Sequence, residues 1–423
     1  MDVFIQKLKL IIHDSSLRNK VLFVFIALAL FRILAVIPIP GIDTFRLEEF
    51  FANNQFFGLL NIFSGGGLSN LSIVMLGVAP YITASIIMQL MTILSPKLKA
   101  LYHEEGEAGK KKFIQYSRFL TVPLAIFQGF GLLALLTQQG VIENLSLFDQ
   151  ITNIAIVTAG SVLLMWIGEL ISEFGIGNGV SIIIFAGIVA GIPGMLQQLL
   201  FTFDIAQLPV YIGFFAIAVL IIAGVVTITE AERPIPVTYA KRIRGQRIYG
   251  GISTYLPLRL NQAGVIPIIF ALSILLFPQM LVNFMANSGN AIVSSISNFL
   301  LVVLQNPVIY SGMYFILVFF FTYFYTAVTF DPEAISTNLQ KSGAFIPGVR
   351  PGRTTAYYIA KILNRITLVG ALFLGGIAVL PLIMQGVTNV AAFAIGGTSL
   401  LIVVSVVLDL IKKIDAQLSL REY

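Results

Sequence analysis

Ten runs of predominantly apolar residues recur along the chain, at 20–38, 72–94, 114–137, 151–171, 180–200, 209–229, 263–285, 308–330, 362–384 and 391–411. Each is about 20 residues long, which at about 1.5 Å per helical residue matches a bilayer core of about 30 Å. This pattern leaves little choice of fold. Backbone polar groups in hydrocarbon must be satisfied within their own segment, so each run is predicted to be a helix. Only 11% of the 423 residues are charged, against 57% hydrophobic. Ordinary soluble domains carry roughly 25% charged residues. The chain is expected to be an all-α polytopic membrane protein with ten transmembrane helices.

The basic residues fix an orientation. All but two of the 26 lysines and arginines fall at one end of the spans; Arg32 lies inside the first span and Arg46 in an opposite-side loop. By the positive-inside rule both termini are cytoplasmic. Residues 1–19 carry apolar and basic side chains at mixed helical spacing, as a surface amphipathic helix would. The first run has span length and no small-residue cleavage site, so no removable signal peptide is expected. Ten spans divide into two halves, 20–200 and 201–411, followed by a cytoplasmic tail at 412–423. An odd number of spans in each half forces the halves into opposite orientations, as in an inverted repeat. Any functional cavity is then expected between the halves, near the midplane.

Several chemistries lack their residues. There is no cysteine, and the two histidines, His13 and His103, are far apart, so no disulfide, thiolate nucleophile, metal site or other cofactor is expected. No HExxH, paired intramembrane aspartates or GxxxxGK[ST] occurs. Ionisable residues in spans mark ion pathways. Here Arg32, Glu169, Glu230 and Asp409 lie in or near spans, and most of them sit close to a cytoplasmic end. A secondary transporter for a small solute is therefore disfavoured and an enzyme more so. Transport would draw its energy from a partner.

Two cytoplasmic loops are about 30 residues long, at 231–261 and 331–361, and connections of that length are usually functional. The first alternates apolar and polar residues around a basic tip with Arg242, Arg244 and Arg247, which predicts a β-hairpin. In the second, Asp331 is placed to cap a helix starting at Pro332, and Gly343 to end it. A Pro/Gly turn then presents Arg350 and Arg353. These arginines satisfy the positive-inside rule without any further role. They also suit a docking platform for an acidic partner such as ribosomal RNA or a motor surface.

Between the first two spans lies NIFSGGGLSNLSIVML, residues 61–76. The apolar stretch around 58–71 is too short to cross and too apolar to prefer water. Three glycines, Gly65, Gly66 and Gly67, weaken it as a helix by about 1 kcal/mol each. It is expected to pack marginally and to be displaced easily; a re-entrant loop without a gating role has the same shape.

The chain resembles the bacterial SecY protein-translocation channels over nearly its whole length. The likeness is carried by residues 61–90, by EEGEAGKKKFIQYSR (104–118), GIGNGVSIIIFAGIVAG (175–191), NQAGVIPIIFA (261–271), NLQKSGAFIPGVRPGR (338–353) and GGTSLLIVVSVVLDL (396–410), in that family's order. The resemblance implies two five-helix halves clamped around an hourglass pore in the bacterial plasma membrane. The pore would conduct unfolded secretory chains and release hydrophobic segments sideways. Implied partners are SecE, SecG, the SecA motor ATPase, the ribosome, signal-sequence-bearing polypeptides and the lipid bilayer, but no DNA.

By motif position the resemblance implies a pore ring of Val78, Ile82, Ile184, Ile188, Ile269 and Ile402. Val78 stands where isoleucine is more familiar, and the consecutive Ile182, Ile183 and Ile184 admit more than one register. The stretch at 58–71 becomes a plug, with Leu60, Ile62 and Phe63 under the ring and the glycines as a hinge. A lateral gate is implied between the second and third spans on one side and the seventh and eighth on the other. Pro80 and Pro267 would interrupt its helices, and Gln89 and Asn261 would bridge the closed seam. Arg350 falls at the motor-contact position.

Overall fold

The computed structural model describes residues 13–40, 61, 64–68, 70–138, 142, 146–201, 208–239, 242–244, 247–249, 253–264, 266–286, 291–388 and 391–419. The surface segment at 3–12 and the plug residues Leu60, Ile62 and Phe63 lie outside them.

Each of the ten apolar runs lies on a helix for most of its length. These are α1 (Ser15–Val36), α2 (Ala79–Leu94), α4 (Gly106–Gln138), α5 (Leu147–Phe174), α6 (Gly179–Phe201), α7 (Leu208–Glu230), α8 (Ile266–Ala286), α10 (Pro307–Thr329), α12 (Arg353–Thr388) and α13 (Ala391–Ser419). Among the described residues, six helices are long and apolar enough on their own to cross a membrane, or seven if a bent pair is one span. That pair is α2 and the short α3 (Pro96–His103), which meet at 115°. Pro96 disfavours helical backbone at Ser95, which is extended, and so turns the chain.

Helix starts follow local capping. Asp14 accepts from the amides of Ser16 and Leu17 at 2.9 and 3.3 Å. Asn306 does the same for Val308 and Ile309, with Pro307 in the first turn of α10. Ahead of α10, the structure contains a helix not foreseen from sequence, α9 (Ala291–Gln305). Inside the spans, threonines return their hydroxyls to carbonyls one turn back, as Thr322 does to Val318 at 2.7 Å. Three charges near the basic ends of spans are paired: Arg118 with Glu169 at 2.8 Å, Lys412 with Glu230 at 3.1 Å and Lys413 with Asp409 at 2.7 Å.

The second run departs from expectation. Ser72 bridges to Pro38, residues 73–78 are a chain of turns, and the helix begins only at Ala79. Gly77 has φ +57° and Leu71 φ +39°, left-handed conformations that no helix continues. Pro80 occupies the second helical position, where its missing N–H costs nothing. The turns are satisfied from outside: Ile73 N–H donates to Ile37 O, Ile39 N–H to Leu71 O, and Ser161 Oγ to Gly77 O at 2.9 Å.

The two halves, up to Phe201 and from Leu208, meet along two seams. One joins α8 to α2 and α4; the other joins α6 to α13. One continuous apolar cluster runs through both halves.

The basic face carries a second, separate core. Strand β1 (Glu232–Tyr239) pairs antiparallel with β4 (Ser253–Arg259), and β2 (Arg242–Arg244) with β3 (Arg247–Tyr249), as a hairpin requires. Helix α11 (Pro332–Lys341) starts at Asp331, whose carboxylate accepts from Glu333 and Ala334 at 2.8 and 3.2 Å. Gly343 follows with φ +71°. The two long loops are also one body. Strand β5 (Ala344–Phe345) pairs with the far end of β1, giving the sheet order β4-β1-β5. Ile235, Val237 and Leu258 pack with Ile346 and with Ile359 and Ile362 of α12.

Candidate functional site

Two helix starts and two helix interiors bring the six ring candidates into one buried region. Val78 caps α2 and Ile82 lies in its first turn. Ile269 is in the first turn of α8, Ile184 and Ile188 are one turn apart on α6, and Ile402 is on α13. None is more than 7% exposed, and all six belong to the same apolar cluster. Such a set has no donor or acceptor to hold a passing chain, and a narrow apolar neck resists wetting by ions.

On the basic-face side of these residues lies a cavity of about 240 Å³. Ile82, Ile184 and Ile269 contribute its apolar wall, and Ser85, Gln89, Ser172, Asn178 and Ser181 contribute polar groups. Glu169, the only carboxylate among the described residues of its lining, is held by Arg118. Of the three consecutive isoleucines only Ile184 lines the cavity. Ile183 points to Gly168 of α5, and Ile182 to Gly177.

On the other side lies the glycine-broken stretch. Gly65 and Gly66 have φ +66° and +84°, conformations that glycine adopts without cost. Gly65 is also a contact point. A Cβ there would run into the ring of Phe31, and a Cβ on Gly187 of α6 would run into Gly65 Cα. Gly187 lies between Ile184 and Ile188 in sequence, so the glycine stretch meets α6 at the height of the ring candidates. Arg32 Nη1 donates to Gly65 O at 3.0 Å. Leu68 N–H donates to Ser64 Oγ at 2.9 Å and Ser72 Oγ to Gly67 O at 2.9 Å. Ser64, Leu68, Leu71 and Ser72 are at most 1% exposed. Marginal packing therefore does not describe residues 64–68 and 71–78. The glycines Gly65 and Gly67 serve close contact; a Cβ on Gly67 would meet Ser72 Oγ at 2.8 Å.

At the seam between the halves, α8 packs on α2 and α4. Pro80 and Pro267 are each the second residue of their helix, so they begin α2 and α8 and do not interrupt them. Gln89 and Asn261 do not hydrogen-bond to each other. Gln89 Oε1 and Asn261 Oδ1 are both buried without partners, while Asn261 Nδ2 donates to Gly264 O at 3.1 Å.

On the basic face, Arg350 is exposed in the turn preceding α12 and Arg353 is exposed as the first residue of α12. Gly348 and Gly352 hold the turn with φ +79° and +97°. Thr355 Oγ1 donates to Arg350 O at 2.9 Å, and Ser336 Oγ to Gly352 O at 2.7 Å. In the hairpin the backbone register sets Arg244 opposite Arg247 and Arg242 opposite Tyr249.

These features define a class: a helical membrane protein of the protein-conducting-channel fold. Two solved structures share it over 95% of this chain and 92% of theirs. One is described as the structure of a protein conducting channel (TM-score 0.64, 18% identical). The other concerns the plug domain of SecY, stabilising the closed state of the translocation channel (TM-score 0.66, 19% identical). A canine ribosome–channel complex containing Sec61 aligns with TM-score 0.62 at 17% identity, over 95% of this chain and 92% of that one. The family model described as SecY matches residues 72–411. The protein translocase subunit SecY of Mycobacterium tuberculosis is 41% identical over 100% of this chain and 99% of its own length. That of Streptomyces galbus is 44% identical over 97% of each. The chain belongs to the SecY family.

Proposed function

We propose that this chain is the conducting subunit of a bacterial plasma-membrane translocon, with both termini in the cytoplasm. It passes unfolded secretory polypeptides through the neck formed by Val78, Ile82, Ile184, Ile188, Ile269 and Ile402. It releases hydrophobic segments into the bilayer between α2 and α4 on one side and α8 and α10 on the other. The observation that carries this reading is the buried aliphatic set separating a polar cavity from the seated glycine stretch. Residues 61–70 act as the plug that a translocating chain displaces. Pro80, Gln89, Asn261 and Pro267 belong to the helix starts and faces that part at the gate.

The joined loops form the docking platform, with Arg350, Arg353, Arg242, Arg244 and Arg247 as its cationic groups. An arginine fork pairs with either carboxylate or phosphate. This supports docking of the SecA motor and the ribosome at one surface, with SecE and SecG completing the complex. The five-plus-five inverted repeat and the seam positions support an hourglass pore between halves.

Crosslinking from a stalled secretory chain tests the reading. Photoreactive probes at Val78, Ile188 and Ile402 are expected to capture the chain, while lipid-facing probes on α1 do not. Labelling of the lipid-facing probes alone would overturn the neck.

A further inference from the structure

Arg32 is an unusual residue for its position. It stands four residues before the end of α1, on the face away from the basic loops, in a helix otherwise free of charge from Val21 to Val36. A guanidinium inside a span is costly and is kept where it has work to do. Among the described residues it makes no ion pair. Its hydrogen-bond partner among those residues is one main-chain carbonyl, that of Gly65, at 3.0 Å. The residue before it, Phe31, is fully buried and lies against the Cα of the same glycine. From the opposite side Gly187 of α6 touches that glycine too. Gly65 is thus gripped at three points: an aromatic ring, a close helix backbone and a charged donor. Only the last is directional, and a side-chain donor can release a carbonyl without moving its own helix.

We infer that Arg32 is the latch of the plug, a positioning residue that holds the closed state through the Gly65 carbonyl. This rests on residues 61–70 acting as the plug. The left-handed backbone at Gly65 and Gly66 turns that carbonyl toward α1. When a chain enters the neck and lifts the segment off Gly187, the bond breaks. The guanidinium then faces the aqueous outer mouth, where its charge is solvated, so opening leaves no bare cation in hydrocarbon. A charge-assisted bond of this kind is stronger than a neutral one. Its loss should shift the balance from seated to displaced plug about tenfold.

The test is resting ion conductance of the full channel complex in planar bilayers, with channel abundance measured alongside. Arg32→Met removes the donor and is expected to raise the leak about tenfold, while Arg32→Lys, which keeps a cationic donor, restores much of the seal. Arg32→Gln keeps an uncharged donor and should fall between them, which preserves the test if the methionine variant does not assemble. Each substitution is repeated in a channel lacking 61–70. There Arg32→Met should add nothing, because the carbonyl it held is gone. A leak unchanged by Arg32→Met in a channel that leaks on plug deletion would overturn the latch and leave the plug standing. An equal rise with and without residues 61–70 would show that Arg32 acts on α1 itself. A plug deletion with no leak would remove the plug reading, and the latch with it.

Discussion

Gly187 of α6 and Gly65 of the glycine stretch touch backbone to backbone, and a methyl group at 187 would occupy the space of Gly65 Cα. Gly187 is flanked one residue on by Ile188 and three back by Ile184, so this contact couples the stretch to the proposed neck. Gly187→Ala should therefore unseat the stretch without disturbing the core of α6. Overpacking of this kind costs about 1–3 kcal/mol, and about 1.4 kcal/mol corresponds to a tenfold shift. The resting conductance of the variant in planar bilayers is expected to rise about tenfold, with translocation retained. A silent variant would show that the contact relaxes without moving the plug.

Three of the proposed ring residues also line the polar cavity: Ile82, Ile184 and Ile269. Replacing all three with glycine widens the neck and lets water bridge it, because dewetting depends on a narrow apolar gap. The triple variant should leak ions at rest, and single variants should leak less. Conductance equal to wild type in the triple variant would take these residues out of the neck.

Arg350 lies in a turn whose shape is set by Gly348, Gly352 and the Thr355 hydroxyl, and not by its own side chain. Arg350→Glu should leave the fold intact and impair motor-driven translocation, since a reversed charge repels an acidic partner. Translocation assayed in inverted vesicles is expected to fall at least tenfold, with the channel still present in the membrane. Unchanged motor affinity would remove the residue from the platform's contact.

The legible parts of this fold are those governed by local rules. Span positions follow from hydropathy, and the cap at Asp331 with Pro332 and Gly343 follows from side-chain geometry within one turn. The β1–β4 hairpin was legible from its alternation. What was not legible is non-local. Residues 72–78 have the composition of a helix, and only contact with Ile37 and Ser161 explains their turns. Pro80 was the available signal; it reads equally as an internal kink or as the second residue of a helix. The pairing of β5 with β1 joins residues more than a hundred apart. The glycines read as a hinge, yet two of them are needed for close contact. The carbonyl that Arg32 holds lies 33 residues away, although an isolated charge in the first span already marked that position.

The core beneath the two joined loops carries a prediction independent of the proposed pore. Ile359 of α12 is fully buried beneath the sheet, against residues from both long loops. Truncation to alanine should cost about 2–5 kcal/mol at that site. The loss is local, because this core is separate from the cluster that runs through the spans. In Ile359→Ala, amide hydrogen exchange should therefore accelerate in β1, β4 and α11 together, while α5 and α6 keep their protection. Joint loosening follows from β5, which ties the second loop to the first. Exchange that rises in β1 and β4 but not in α11 would show two independent loops in place of one platform. Docking that depends on Arg350 and on the hairpin would then have to be treated as two separate contacts.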